Sequence, residues 1–234
     1  RWEYDEVKKQ ILNQSSSSDT CLIDIGCGSG YFLKMLKGYE RLQIEGLDLT
    51  VESCNACKTA GINAYPLSLS EFISMDSNNK GKYDFVTSFH CLEHIVDPIS
   101  FLKEMILITK EKGSIFISTP YSPMSFEKEW FDPLNHPPHH MGRWNMKSYT
   151  FLANQLNLDI SFFFPEAKSI WKRSLLSFKI KNWGHKVNPS IFKTVSAIIF
   201  NPLTFINHFV YQYKREKYQG RYLADVILVR LNKK

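Results

Sequence analysis

The stretch DIGCGSG at 24–30 has the residue types of a ligand-cradling turn. Its glycines, Gly26, Gly28 and Gly30, permit a tight turn and let backbone groups approach a ligand where side chains would intrude. Tyr31 and Phe32 follow in place of the further small residues that a dinucleotide fingerprint requires, so a pyrophosphate is not the expected guest. Asp24 argues the same way, because a carboxylate in that turn repels a pyrophosphate and attracts a cation, such as the amino-acid end of a sulfonium cofactor. Asp48 closes the next apolar run, IEGLDL, where its two oxygens can accept both hydroxyls of a ribose.

A second group of residues offers bases. His94, His136, His139 and His140 fall at the rim that the strand ends should form. A neutral imidazole can take the proton of a hydroxyl as it attacks a methyl group, with alignment of donor and acceptor as the other main demand. His94, His139 and His140 are the candidates for that role, although His94 could equally be a helix-terminal residue bonded to the neighbouring loop. His90, Glu93 and His94 stand at i, i+3 and i+4, so on a helical turn they share a face and, with His139 or His140, offer mixed nitrogen and oxygen donors. No residue is assigned to a metal on that spacing. Cys54 and Cys57 form a CxxC pair without a second pair at zinc spacing, and five cysteines in no regular framework fit reduced thiols and a cytoplasmic setting.

The elements that must position these groups alternate. Apolar strand-like runs are expected at 20–25, 44–49, 63–66, 83–89 and 114–119, with helices at 31–36, 51–59 and 99–108 between them. Such alternation implies an α/β, doubly wound, mostly parallel sheet, with ligands beyond the carboxyl ends of its strands. A loop or cap at 121–145, a helix at 148–157 and strands at 159–164 and 224–231 complete the core. That core is expected over 1–165 and 221–234, with 166–220 as a basic, aromatic helical insertion or lid before the last strand. Ser15 to Ser18 reads as a loop.

DIGCGSG, GLDLT, YDFVTSFHCLEHIVDP and GSIFISTP, spread over 20–120, resemble the successive motifs of class I S-adenosylmethionine-dependent methyltransferases. The resemblance implies a seven-stranded Rossmann-like sheet in which Gly26, Cys27, Gly28 and Gly30 line S-adenosylmethionine. It implies further that Asp24 supports the methionine end, Asp48 binds the ribose, Leu49 flanks the adenine, and Phe89 and His90 approach from the other side. Many relatives carry a carboxylate near the adenine after the third strand; here 67–69 read Leu-Ser-Leu, which leaves Ser68, through its hydroxyl or backbone, as the adenine partner. CLEHIVDP, STP and HPPHHMGRW resemble the branch containing ubiquinone-biosynthesis O-methyltransferases and bacterial enzymes acting on small molecules or sugars. What this implies is methyl transfer to an oxygen of a small-molecule acceptor, with a sugar or lipid-linked precursor favoured. Two alternatives stand beside it. One is a metal-dependent RNA 2'-O-methyltransferase, through likeness to an ExxEH motif whose first carboxylate is His90 here; the other is a noncatalytic cofactor-binding or interaction protein on the same fold.

The formal charge of +6 is unevenly spread. From 167 to 215 there are nine Lys and Arg and no acidic residue, so the remainder carries 6 minus 9, or −3. Aromatics interleave with the charge. The segment can lie against an anionic membrane surface, bind a phosphorylated acceptor or nucleic acid, or form a lid with solvated lysines. Charge confined to one insertion without a nucleic-acid module argues against nucleic acid. The opening RWEYDEVKKQ lacks the apolar core of a signal peptide, and the longest apolar stretch, 195–210, is interrupted by Asn201, Pro202, Asn207 and His208. Location in the cytoplasm, with peripheral membrane contact through 167–215, is the expectation.

Overall fold

The computed structural model describes all residues except 15–18, 125–126, 128–130, 166–168, 185–186 and 220–224, and no side chains at 215 and 217–219. The expected loop at Ser15 to Ser18, the basic residues Lys168 and Lys186, and the start of the last expected strand at Ala224 therefore lie outside the described residues.

In chain order the helices are α1 (Trp2–Gln14), α2 (Tyr31–Leu36), α3 (Val51–Thr59), α4 (Leu69–Met75), α5 (Pro98–Ile108), α6 (Met146–Gln155), α7 (Ile170–Trp183), α8 (Ile191–Phe200) and α9 (Pro202–Gln219). The strands are β1 (Thr20–Ile25), β2 (Leu42–Leu47), β3 (Asn63–Tyr65), β4 (Tyr83–Phe89), β5 (Thr109–Pro120), β6 (Leu158–Phe163) and β7 (Val226–Lys233). They form one sheet in the order β3-β2-β1-β4-β5-β7-β6. β1 pairs in parallel with both β2 and β4, whereas β6 and β7 pair antiparallel. This is the mostly parallel, doubly wound sheet that the alternation predicts. The order reverses between β1 and β4, and the turns that follow those two strands carry the glycines and the LEH sequence.

The chain divides into two compact units. The first, Arg1–Pro120, His140–Phe163 and Ile227–Lys234, holds the sheet. Leu22 and Ile23 of β1 are fully buried, as a strand flanked by parallel neighbours and covered on both faces must be. Leu22, Phe32, Leu33, Leu36, Phe85 and Leu228 share a core cluster with Val7 and Ile11 of α1. The sequence alone does not give α1, because Val7 and Ile11, with Trp2 and Tyr4 beside them, stand in a mixed-charge run. The second unit, Tyr121–His139 and Phe164–Val226, holds α7, α8 and α9, which gives the expected helical character to the basic segment.

Boundaries shifted where local chemistry decides them. β2 ends at Leu47, so Asp48 stands one residue beyond the strand rather than within it. α6 begins at Met146 rather than 148, because Asn145 and Ser148 form a reciprocal capping box. α4 likewise starts on a capping box from Ser68 and Glu71, an S-x-x-E signal that is legible in the sequence.

Candidate active site

Beyond the carboxyl ends of the strands lies a cavity of about 370 Å³, within the range of small-molecule sites. Gly26, Asp48, Leu49 and Ser68 line it, as do Cys91, Ile95, Phe101 and Glu104, which the sequence reading did not single out. The glycine turn leaves β1 with positive φ at Gly26 (74°), Gly28 (52°) and Gly30 (74°). At Gly28 a side chain would meet nothing within 4 Å, so open space adjoins the backbone there. At Gly30 a Cβ would come within 2.7 Å of Cys57 Sγ, so the chain must stay bare for α3 to pack against the turn. Cys27, by contrast, turns into the core, where burial raises its thiol pKa far above the ordinary thiol range.

Asp48 fastens this turn. Its Oδ2 accepts the Gly28 N–H at 2.9 Å and its Oδ1 accepts the Thr50 N–H at 2.9 Å. Each carboxylate oxygen keeps a second acceptor direction, so two ribose hydroxyls can still be bound. Asp24 lies beneath, 3% exposed, and accepts a hydrogen bond from Thr87 Oγ1 at 2.7 Å. Burial pushes its pKa up to about 7; the Thr87 bond opposes the rise and the Asp48 charge adds to it. A cation placed above the turn would favour the ionised form.

Ser68 is committed to α4. Its hydroxyl donates to Glu71 Oε2 at 2.7 Å and accepts the Glu71 N–H at 3.2 Å, while its own N–H donates to Glu71 Oε2 at 2.8 Å. The neighbouring Leu67 and Leu69 give the cavity apolar walls suited to a flat ring. Leu49 is 75% exposed beside them. Phe89 does not line the cavity; it is buried edge-on against Tyr4 and Phe32, each ring centroid 4.7 Å away.

The expected helical turn after β4 is a single 3-10 turn, Leu92–His94. His90 precedes it in the left-handed region at φ 52°, a conformation rare for residues with a side chain. Its ring spans two buried carboxylates, with Nε2 3.3 Å from Glu3 Oε1 and Nδ1 3.4 Å from Glu93 Oε1. Burial alone would lower the His90 pKa, but the bonds to Glu3 and Glu93 outweigh it and the net shift is upward. Glu3 shifts downward because the His90 contacts outweigh its own burial. His90 is thus drawn into a fold-fixing link to α1 rather than onto the cavity wall.

Glu93 is 1% exposed, and its Oε2 has no hydrogen-bond partner among the described residues. The Glu93 carbonyl accepts the N–H groups of Met141 at 2.7 Å and Gly142 at 3.2 Å, which anchors the strand of chain bearing His140. One carboxylate oxygen of Glu93 and one ring nitrogen each of His94 and His140 accordingly lie within 4.8 Å of one another. The two rings meet edge-on, with centroids 4.9 Å apart. His94 is exposed and His140 half-buried; His139 is exposed, belongs to the helical unit and is not in this group. A buried carboxylate with two imidazoles is a donor set that fits a divalent cation.

A family model described as "Methyltransferase domain" matches residues 2–161, more than half of the chain. The chain belongs to that family, and its fold and motifs are those of the class I S-adenosylmethionine-dependent methyltransferases. Among known proteins it is similar to the ubiquinone biosynthesis O-methyltransferases of Serratia proteamaculans, at 32% identity over 107 residues, and Vibrio parahaemolyticus, at 32% over 103. Those alignments cover 43% and 42% of this chain and 43% of each relative, so the match spans less than half of the curated proteins' length. A SAM-dependent methyltransferase from Archaeoglobus fulgidus shares the fold, with a TM-score of 0.62 at 18% identity over 98% of this chain and 92% of that one. The family's cofactor, S-adenosylmethionine, fits what the site offers: bare backbone at Gly28, a two-oxygen acceptor at Asp48 and apolar walls at Leu67 and Leu69.

Proposed function

We propose that this protein methylates an oxygen of a small-molecule acceptor, with a sugar or lipid-linked precursor as the favoured class. The observation that carries the reading is the cavity bounded by the glycine turn and Asp48 and continued by Cys91 and Ile95, the residues that flank the Glu93 and His94 turn. S-adenosylmethionine supplies, when bound, a methyl group activated on a sulfonium. Asp48 holds the ribose through its two spare acceptor directions, and Asp24 balances the positive charge from below the turn. His94 takes the proton of the acceptor hydroxyl as its oxygen attacks the methyl carbon in line with the departing sulfur.

The test is calorimetry with S-adenosylmethionine and S-adenosylhomocysteine, followed by turnover on hydroxylated sugars and lipid-linked precursors. Binding of both nucleosides, with turnover lost in His94→Ala, is the expected outcome. Absence of binding would return the chain to a noncatalytic role.

A second reading is favoured by the Glu93, His94 and His140 cluster. There these residues would hold a divalent cation that polarises the attacking hydroxyl, as in methylation of an RNA 2'-hydroxyl. It predicts activity that is abolished by chelation, restored by added Mg²⁺ or Mn²⁺, and lost in His140→Ala. Chelator-resistant turnover would leave the imidazole as base.

A further inference from the structure

α8 lacks the polar outer face of an ordinary surface helix. Ile191, Phe192, Val195 and Ile199 share one face at i, i+1, i+4 and i+8 and are between 48% and 82% exposed. On the inward side Thr194 is 3% exposed, its hydroxyl donating to the Ser190 carbonyl at 3.0 Å. Asn201 alone separates α8 from α9, where the pattern repeats. Leu203, Ile206, Val210 and Tyr213, at i, i+3, i+7 and i+10, are between 42% and 74% exposed. His208 and Gln212 are buried, with His208 Nδ1 2.8 Å from Ser177 Oγ. Phe200, at the junction, is 81% exposed. Two consecutive helices thus present apolar faces to water, which costs free energy unless something covers them.

The charge around these faces selects the cover. The segment 167–215 has nine basic and no acidic residues, and Lys172, Lys181, Lys193 and Lys214 are exposed. Two copies meeting through this surface would bring like charges together, whereas a surface of anionic headgroups over hydrocarbon matches both the charge and the apolar residues. No helix among the described residues is long and apolar enough to cross a bilayer, so the match is to the interface. The family match ends at residue 161, before α7, so this surface is no part of what the family model covers.

We propose that α8 and α9 dock on the surface of an anionic phospholipid bilayer. Phe192, Ile199, Phe200 and Leu203 enter the acyl boundary while Lys193 stays at the headgroups, its aliphatic stem lying along the apolar face.

The chain of residues 1–234 is tested by co-flotation with phosphatidylcholine vesicles containing about 30% phosphatidylglycerol, and with phosphatidylcholine alone. Retention on the anionic vesicles, falling as salt rises from about 0.05 M to about 0.5 M, is expected. The double variant Phe192→Asp, Ile199→Asp should bind at least about tenfold more weakly, because each charge would have to leave water. Its affinity for S-adenosylmethionine and its circular dichroism should be unchanged, which separates this outcome from misfolding. A second pair, Ile191→Ser with Phe200→Ser, should weaken binding in the same direction. No retention of the wild-type chain, or retention unaltered in either variant, would overturn the proposal. A dimer in light scattering that both variants dissolve would also overturn it, assigning the surface to a second copy.

Discussion

In the sheet unit, apolar residues such as Leu22, Leu33 and Val86 are fully buried, and the buried charges are Asp24, Glu93 and Glu3, the last paired with His90. In the helical unit the sorting is mixed. Phe178 and Ile180 are buried beside Arg173, Ser174, Ser177, Thr194, His208 and Gln212, while Phe192, Ile199, Phe200 and Leu203 are exposed. Arg173 makes a 2.6 Å ion pair with Glu216, and Ser177 pairs with His208, so the interior of that unit is partly a polar network. The sheet unit follows the rule that burying hydrocarbon drives folding in water. The outer face of the helical unit departs from that rule, and the docking proposed above would place it against hydrocarbon. What the difference teaches is that an apolar residue in the sequence does not by itself report burial, since Phe192 and Ile199 lie exposed where Leu22 and Leu33 are buried.

The contrast is broken most directly by deleting one aliphatic side chain on each side of it. Leu33→Ala, at a fully buried site, should cost about 2 to 5 kcal/mol in denaturant unfolding. Ile199→Ala, at a site 69% exposed, should stay within about 0.5 kcal/mol. A comparable loss at Ile199 would mean that its face is covered within the chain.

The next largest effect concerns the buried charge. Because the folded-state pKa of Asp24 is raised from 3.8 to about 7, the protonated form is favoured in the fold. Its stabilising contribution is full below the unfolded value and lost as pH rises through about 7. Asp24→Asn, which can still accept the Thr87 hydrogen bond, should remove that slope. The wild type should therefore lose on the order of 3 to 4 kcal/mol relative to the variant between about pH 4 and pH 8. Parallel pH profiles of the two proteins in denaturant titrations would show that Asp24 is not strained by burial.

Asp48→Ala sharpens the comparison at the site itself. It removes both ribose acceptors and the clasp on Gly28, and should weaken S-adenosylmethionine binding by about 100-fold in calorimetry. Unchanged affinity would sink the ribose assignment.

Much of the sheet was legible because its signals are local. The apolar run of β1, the glycines after it, and the carboxylate after β2 sit within a few residues of the groups they serve. α1 and α4 were not read: one has its apolar residues set in a mixed-charge run, and the other is marked mainly by a four-residue cap. Among the site residues, Gly26, Asp48, Leu49 and Ser68 come together at one cavity, whereas the Phe89 and His90 side chains do not line it. Phe89 ends β4 and His90 follows it, and sequence position alone cannot tell which way a side chain leaves a strand end. Cys91 and Glu104 line the cavity through folding of distant segments that no spacing rule connects.

By itself the sequence determined the alternation of strands and helices, the ligand-admitting turn, and the concentration of positive charge in one segment, because each depends on residue type and near-neighbour spacing. Only the tertiary structure decided that Asp24 is buried enough to carry a raised pKa, that His140 rather than His139 joins Glu93 and His94, and that Ser68 is spent on capping α4. It also decided that the apolar faces of α8 and α9 are outward. Desolvation, convergence of groups far apart in the chain, and the facing of a helix are properties of what surrounds a residue, and the surroundings exist only once the chain has folded.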